Sequence, residues 1–129
     1  MNLVDSCGWL ECIAGGPNMG TFRDVLRKPD NLIVPTVCIY EVLRRRLPQL
    51  GRRAALEAVA VMRAAPLVVP LTDTIAVGAA VISERLKLPM ADSMILATAR
   101  EYNALIWTQD RHFEGLPDVN FIRCSDESR

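Results

Sequence analysis

The sequence has few of the residues that common catalytic and binding motifs require. It has one histidine, His112, and no Gly-x-Ser-x-Gly segment, so a serine hydrolase triad is not supported. Its four cysteines form no Cys-x-x-Cys pair, which leaves little support for zinc. Its glycines do not have the spacing of a Walker A loop or of a dinucleotide-binding fingerprint. The sequence therefore lacks the usual signals of proteins that bind ATP, NAD or zinc.

The chain also lacks net charge and long apolar runs. Its 15 Lys and Arg residues balance 15 Asp and Glu residues, so general electrostatic adhesion to nucleic acid is not indicated. No apolar run approaches the roughly 18 residues of a membrane span, and the N-terminal residues do not resemble a secretory signal. We expect a cytoplasmic protein without a membrane partner, whose cysteines stay free thiols.

The length and the hydrophobic pattern predict a single α/β domain over residues 1–129. Half of the residues are hydrophobic, which is enough to form a core without disulfides. Short apolar runs alternate with segments of helical period, a pattern typical of a mainly parallel sheet. The five predicted strands are residues 2–5, 32–34, 67–69, 104–107 and 119–122.

Between the predicted strands, apolar residues recur at helical spacing. Thr36 and Thr72 are the expected N-caps of two helices. The apolar stripe of the first helix is predicted to consist of Val37, Tyr40, Leu43 and Leu47. The stripe of the second is predicted to consist of Ile75, Ala79, Ile82 and Leu86.

Four acidic residues lie where burial or a strand end is expected: Asp5, Glu41, Asp92 and Asp110. The carboxyl ends of parallel strands share one edge of a sheet, so side chains at strand ends and in the first turns of following helices can gather there. Taken singly, each acid has an ordinary alternative as a helix cap, a turn former or a surface residue. Taken together, the four predict one acidic cluster.

Such a cluster requires a cation or bound protons. Two carboxylates about 4 Å apart repel by about 4 kcal/mol at an effective dielectric constant near 20. Oxygen ligands without histidine or cysteine favour a hard ion, Mg²⁺ or also Mn²⁺, which often binds phosphate as well. The residues alone therefore indicate metal-assisted phosphoryl chemistry.

The four acids lie in the segments Leu3-Val4-Asp5-Ser6, Pro35-Thr36 followed by Glu41, Ala91-Asp92-Ser93-Met94-Ile95-Leu96-Ala97, and Thr108-Gln109-Asp110-Arg111-His112-Phe113. In these segments the chain resembles the PIN-domain ribonucleases, and among them the VapC-type toxins of toxin–antitoxin pairs. The similarity extends over nearly the whole chain.

The resemblance implies a three-layer α/β/α sandwich and metal-dependent cleavage of RNA. It implies that Asp5, Glu41, Asp92 and Asp110 are the catalytic and metal-binding residues, with Ser6 and Thr108 as polar support. It also implies a homodimer and a small antitoxin as protein partners. Many relatives carry another acid where this chain has His112, which we interpret as a packing or surface histidine. We expect one Mg²⁺ ion, with a two-ion arrangement left open.

Two further surfaces have open interpretations. Residues 44–63 contain six arginines opposed only by Glu57, and Arg44, Arg45 and Arg46 could guide an RNA backbone or simply form a solvated helix face. The segment from residue 54 to residue 65 is almost continuously apolar, and its side chains could form part of a protein interface or belong to the core.

Other functions remain as alternatives to the toxin. One is a housekeeping RNA-processing nuclease of the same fold, and another is a non-catalytic PIN-like interaction module, which would be expected to lose one or more of the four acids. A Mg²⁺-dependent phosphatase is a third alternative. Its dehalogenase-like type would require a second aspartate two residues after Asp5, where this chain has Cys7.

Overall fold

The computed structural model of the protein describes residues 1–124 and contains one sheet of five parallel strands. The order along the sheet is β3-β2-β1-β4-β5. Each predicted strand is confirmed to within one residue at either end, and so is the α/β class. The strands are β1 (Asn2–Val4), β2 (Leu32–Pro35), β3 (Val68–Val69), β4 (Leu105–Thr108) and β5 (Val119–Phe121).

Helices fill most of the connections between these strands. Thr72 caps α4 as predicted, because its Oγ1 accepts a hydrogen bond of 3.2 Å from the Ile75 N–H. The prediction for Thr36 is wrong: α3 begins at Thr36 itself, after the extended residue Pro35. The helices are α1 (Ser6–Ala14), α2 (Met19–Leu26), α3 (Thr36–Arg63), α4 (Asp73–Leu86) and α5 (Met90–Glu101), with 3-10 turns at Pro29–Asn31 and Arg111–Phe113.

Both faces of the sheet are covered, as a three-layer sandwich requires. Leu3 and Val4 are consecutive in β1 and therefore point to opposite faces, yet both are fully buried. The connections from β1 to β2 and from β2 to β3 each step towards the β3 edge of the sheet. The connection from β3 to β4 returns in the opposite direction, towards the β5 edge. Right-handed crossovers consequently place α1, α2 and α3 on one face and α4 and α5 on the other.

Helix α3 confirms half of the predicted apolar stripe. Val37 and Leu43 pack against the core, but Tyr40 is 64% exposed and Leu47 is 37% exposed, and the fully buried side chains of the first half are Cys38 and Val42. Those two members of the predicted stripe were wrong, because the buried face follows a row four residues apart that begins at Cys38. The helix runs through Pro48 and is interrupted at Gly51, whose φ of 79° suits glycine.

The strand order defines a topological switch point between β1 and β4, whose connections leave in opposite directions. Ligands of open α/β sheets bind at the carboxyl edge of such a point. Within residues 1–124, no helix is long and apolar enough to cross a membrane, and none of the four cysteines is in a disulfide. The single-domain organisation of residues 1–129 stays a prediction.

Candidate metal centre

Asp5 lies at the switch point, directly after β1, and is 2% exposed. It is the N-cap of α1, because its Oδ1 accepts a hydrogen bond of 2.8 Å from the Ser6 N–H. Its Oδ2 accepts a 2.7 Å hydrogen bond from the hydroxyl of Thr108, the last residue of the neighbouring strand β4. The cap and the strand pairing together fix the carboxylate at the edge of the sheet. Being a helix cap and being a site residue are therefore compatible for this aspartate.

A second group of ligand atoms lies beside Asp5. The N–H of Asp110 donates a 2.9 Å hydrogen bond to the Thr108 hydroxyl, which places Asp110 one step from Asp5. Asp110 caps the following 3-10 turn by accepting from the His112 N–H at 3.0 Å. His112 Nδ1 in turn lies 2.7 Å from Asp92 Oδ2. One ligand atom from each of Asp92, Asp110 and His112 lies within 4.8 Å of the other two.

Glu41 approaches the same place from α3. Burial raises the pKa of its carboxyl group, as do the negative charges of Asp5 and Asp110, while the Ser6 side chain opposes the increase. Its Oε1 is buried and has no hydrogen-bond partner within the described residues. A buried carboxylate oxygen without a donor is costly unless a cation or proton meets it.

The electrostatics of the cluster favour bound positive charge. Burial is the largest cause of the raised pKa of Asp5, and the charge of Asp110 adds to it. Burial followed by the charges of Asp110 and Asp5 raises the pKa of Asp92 to about 7. His112 has a raised pKa chiefly because it hydrogen-bonds Asp92, followed by the charge of Asp110. Oxygen-rich donors held this close together fit a divalent cation.

The four predicted acids thus lie close enough together to act on one another's charges. Ser6 and Thr108 contact Asp5, as expected of supporting residues. Sequence reasoning missed two members of the site. His112 was interpreted as a packing or surface residue, but its ring contacts Asp92; its position two residues after Asp110 was the available signal. Cys7, in the first turn of α1, was expected only to be a free thiol.

Cys7 joins the hydrogen-bond network of the carboxylates. Its Sγ lies 3.3 Å from Thr108 Oγ1 and 3.5 Å from Asp5 Oδ2, and it accepts from the Gln109 N–H at 3.3 Å. Burial and the nearby charge of Asp5 raise the pKa of the thiol far above its usual value. The group is therefore a neutral thiol that can donate to Asp5 rather than a thiolate nucleophile.

The three predicted RNA-binding arginines differ in their surroundings. Arg44 and Arg45 are exposed, whereas Arg46 is partly buried against α1, where its Nη2 lies 3.4 Å from the Leu10 carbonyl oxygen. Arg46 Nε is buried and has no partner within residues 1–124. Arg45 and Arg46 line a cavity of about 310 Å³ whose other lining residues are Cys7, Leu10, Glu11, Ala14, Gln49 and Gln109. Through Cys7 and Gln109, this cavity adjoins the carboxylate cluster.

Comparisons with known proteins agree on the family. The model of the PIN domain family matches residues 3–119. A toxin–antitoxin complex from Klebsiella pneumoniae has a TM-score of 0.77 at 18% identity, covering 96% of this chain and 100% of that chain. VapC20 of Mycobacterium tuberculosis, described as a sarcin–ricin loop cleaving toxin, has a TM-score of 0.74 at 20% identity, with 96% and 98% covered. FitAcB of Neisseria gonorrhoeae has a TM-score of 0.70 at 20% identity, with 95% and 97% covered. These identities show a shared fold, and the curated proteins gave no match.

Proposed function

The chain belongs to the PIN domain family, and we propose that it is a metal-dependent endoribonuclease that acts as the toxin of a toxin–antitoxin pair. The observation that carries the proposal is the convergence of four acidic side chains at the switch point of the sheet, three of them with raised pKa values. The mutual repulsion of these carboxylates destabilises the fold, and a non-catalytic interaction module would gain nothing in return for that cost. The four residues are Asp5, Glu41, Asp92 and Asp110.

The proposed cofactor is Mg²⁺, with Mn²⁺ as the alternative, held by these four carboxylates. The fit rests on the unpartnered Oε1 of Glu41 and on the repulsion among the acids. When bound, such an ion activates water and stabilises charge on the phosphate under attack. Thr108 holds Asp5 in place with its hydroxyl and holds the backbone of Asp110 by accepting its N–H. Thr108 is thus the residue that positions two of the proposed metal ligands, Asp5 and Asp110, relative to each other.

The cavity lined by Arg45 and Arg46 is the proposed path of the RNA backbone towards the cluster. Guanidinium groups suit phosphate oxygens, and two arginines line this cavity beside the carboxylate cluster. We expect Arg46→Gln to weaken RNA binding and to reduce the slope of log affinity against log salt by about 0.7 for each lost phosphate contact. Arg53→Gln is the matched control, since the Arg53 side chain is 95% exposed beside Glu57. Equal slopes for both variants would refute this path.

An antitoxin and a second copy of the chain are the proposed protein partners. Toxin–antitoxin complexes are among the similar solved structures, which supports the first partner. Part of the apolar segment from residue 54 to residue 65 faces the core through Ala55, Val59 and Met62, but Leu56 and Val61 are exposed. Exposed apolar side chains beside a buried stripe favour a protein interface.

Cleavage of total cellular RNA by the purified, antitoxin-free protein tests the function. We expect discrete fragments with Mg²⁺, none with excess chelator, and none from Asp5→Asn. Asp24→Asn is the control, because the Asp24 side chain is 78% exposed and pairs with Arg27 outside the cluster. Failure of the folded wild-type protein to cleave would favour the interaction module. Cleavage that survives Asp5→Asn would contradict the assigned site, and cleavage limited to precursor RNAs would favour the housekeeping nuclease.

A further inference from the structure

His112 is the one histidine of the chain, and its ring faces two of the proposed metal ligands. Its Nδ1 lies 2.7 Å from Asp92 Oδ2 and 3.2 Å from Asp110 Oδ1. The hydrogen bond from its own N–H to Asp110 and the fully buried Phe113 beside it hold the turn in place. The ring therefore presents Nδ1 to both carboxylates, while 57% of the side chain remains exposed.

One hydrogen bond from Nδ1 can satisfy only one of the two carboxylates that face it. Nδ1 carries at most one proton, and one N–H cannot be well aligned with two carboxylate oxygens on different residues. In an octahedral site with ligand distances of about 2.1 Å, neighbouring ligand atoms lie about 3.0 Å apart. The two distances from Nδ1 fall on either side of this value. A cation next to all three atoms would satisfy Asp92, Asp110 and His112 together.

We propose that Nδ1 of His112 is a direct ligand of the divalent cation, together with the carboxylates of Asp92 and Asp110. This inference rests on the proposed function, because it requires a metal at that site. A nitrogen ligand changes the preference of the site, since imidazole suits transition-metal ions better than it suits Mg²⁺. The protein then binds Mn²⁺ in preference to Mg²⁺ by a larger factor than an all-carboxylate site does.

Mn²⁺ is the probe for this proposal because its unpaired electrons report on coordinated nitrogen. The full chain, prepared without a histidine tag, is loaded with Mn²⁺ and measured by electron spin echo envelope modulation. We expect a modulation from one directly bound ¹⁴N. Because the chain has one histidine, labelling histidine alone with ¹⁵N must replace that signal with the ¹⁵N pattern. The labelling requires no mutation, so the result does not depend on the folding of a variant.

A matched pair of variants adds a second measurement. His112→Asp replaces the nitrogen by an oxygen ligand, and we expect it to bind Mn²⁺, to lose the nitrogen modulation and to lower the ratio of Mn²⁺ to Mg²⁺ affinity by about tenfold. Asp92→Asn should weaken Mn²⁺ binding about 10-fold to 100-fold.

The outcomes separate this inference from the proposed function. Mn²⁺ that binds through Asp92 without any histidine nitrogen modulation would overturn the role of His112 and leave the metal site standing. An unchanged affinity ratio in His112→Asp would overturn it as well. Mn²⁺ binding that Asp92→Asn does not weaken would contradict the metal site itself, and with it the proposed function.

Discussion

Replacing Asp92 by asparagine isolates the energetic effect of one buried carboxylate of the cluster. The residue is 7% exposed, and burial together with the charges of Asp110 and Asp5 raises its pKa from 3.8 to about 7. Asparagine keeps the shape of the side chain and its ability to hydrogen-bond His112, but it carries no charge. Comparison of the two proteins without metal therefore measures the free energy needed to ionise this position in the folded state.

The pH dependence of this effect has a definite sign. A carboxyl group with a higher pKa in the folded state binds protons more tightly when folded, so the free energy of unfolding falls as the pH rises from about 4 through about 7. The raised pKa values of Asp5, Glu41 and His112 act in the same direction. For Asp92, a rise from 3.8 to about 7 corresponds to at most about 4 kcal/mol at pH 8.

Urea unfolding of chelator-treated protein at pH 5 and pH 8 is the appropriate assay. We expect Asp92→Asn to be more stable than the wild type by about 1.5 kcal/mol at pH 5, where Asp92 of the unfolded chain is already ionised, and by about 2–4 kcal/mol at pH 8. Asp24→Asn, which alters an exposed side chain, should show no such difference between the two pH values. A wild-type protein that is as stable as Asp92→Asn at pH 8 would refute the reasoning.

Three other predictions concern stability and metal binding. Saturating Mg²⁺, at about 100 times its Kd, should stabilise the wild type at pH 8 by about 2.7 kcal/mol; an unchanged Tm would contradict this. Thr108→Val removes the hydroxyl that bonds Asp5, so we expect a loss of about 1–3 kcal/mol in urea unfolding; an equal midpoint would count against this network. Gly8→Ala places a Cβ 2.6 Å from Phe22 Cδ1 and should destabilise the fold by about 1–3 kcal/mol, whereas Gly20→Ala meets nothing within 4 Å and should not; equal stabilities would contradict the packing.

The sheet could be predicted from the sequence because its strands are buried on both faces. Such strands are short apolar runs without alternation, and turn formers, polar residues or prolines bound them on either side. The positions of Asp5 and Asp110 then follow from topology alone, since both come after parallel strands. The position of Glu41 could be predicted in a similar way, because it is an acid among apolar residues one turn into the helix that follows β2.

The burial of α3 was harder to predict because its sequence offers two rows of apolar residues. Tyr40 and Leu47 continue one row, and Cys38 and Val42 form the other, which the fold buries. Helical period alone cannot choose between them, since the choice depends on how α3 crosses β2 and β3. The sequence contains no local signal for that crossing.

The contacts of His112 and Cys7 were missed for a related reason. A single histidine beside a buried phenylalanine is consistent with simple packing, and only the approach of α5 to the 3-10 turn brings Asp92 within 2.7 Å of its ring. Cys7 meets Thr108 because β1 pairs with β4, which is distant along the chain. Both contacts are products of tertiary structure.

The chemical ends of the RNA fragments test the central claim most directly. If water attacks the phosphate at the carboxylate cluster, each cut leaves a linear phosphate on one fragment and a hydroxyl on the other. Mass spectrometry of fragments released by the wild type with Mg²⁺, beside an Asp92→Asn sample, measures these ends. We predict linear phosphates and no 2′,3′-cyclic phosphate in the wild-type sample, and no fragments from the variant. Cyclic phosphate ends, or equal cleavage by the variant, would contradict the account.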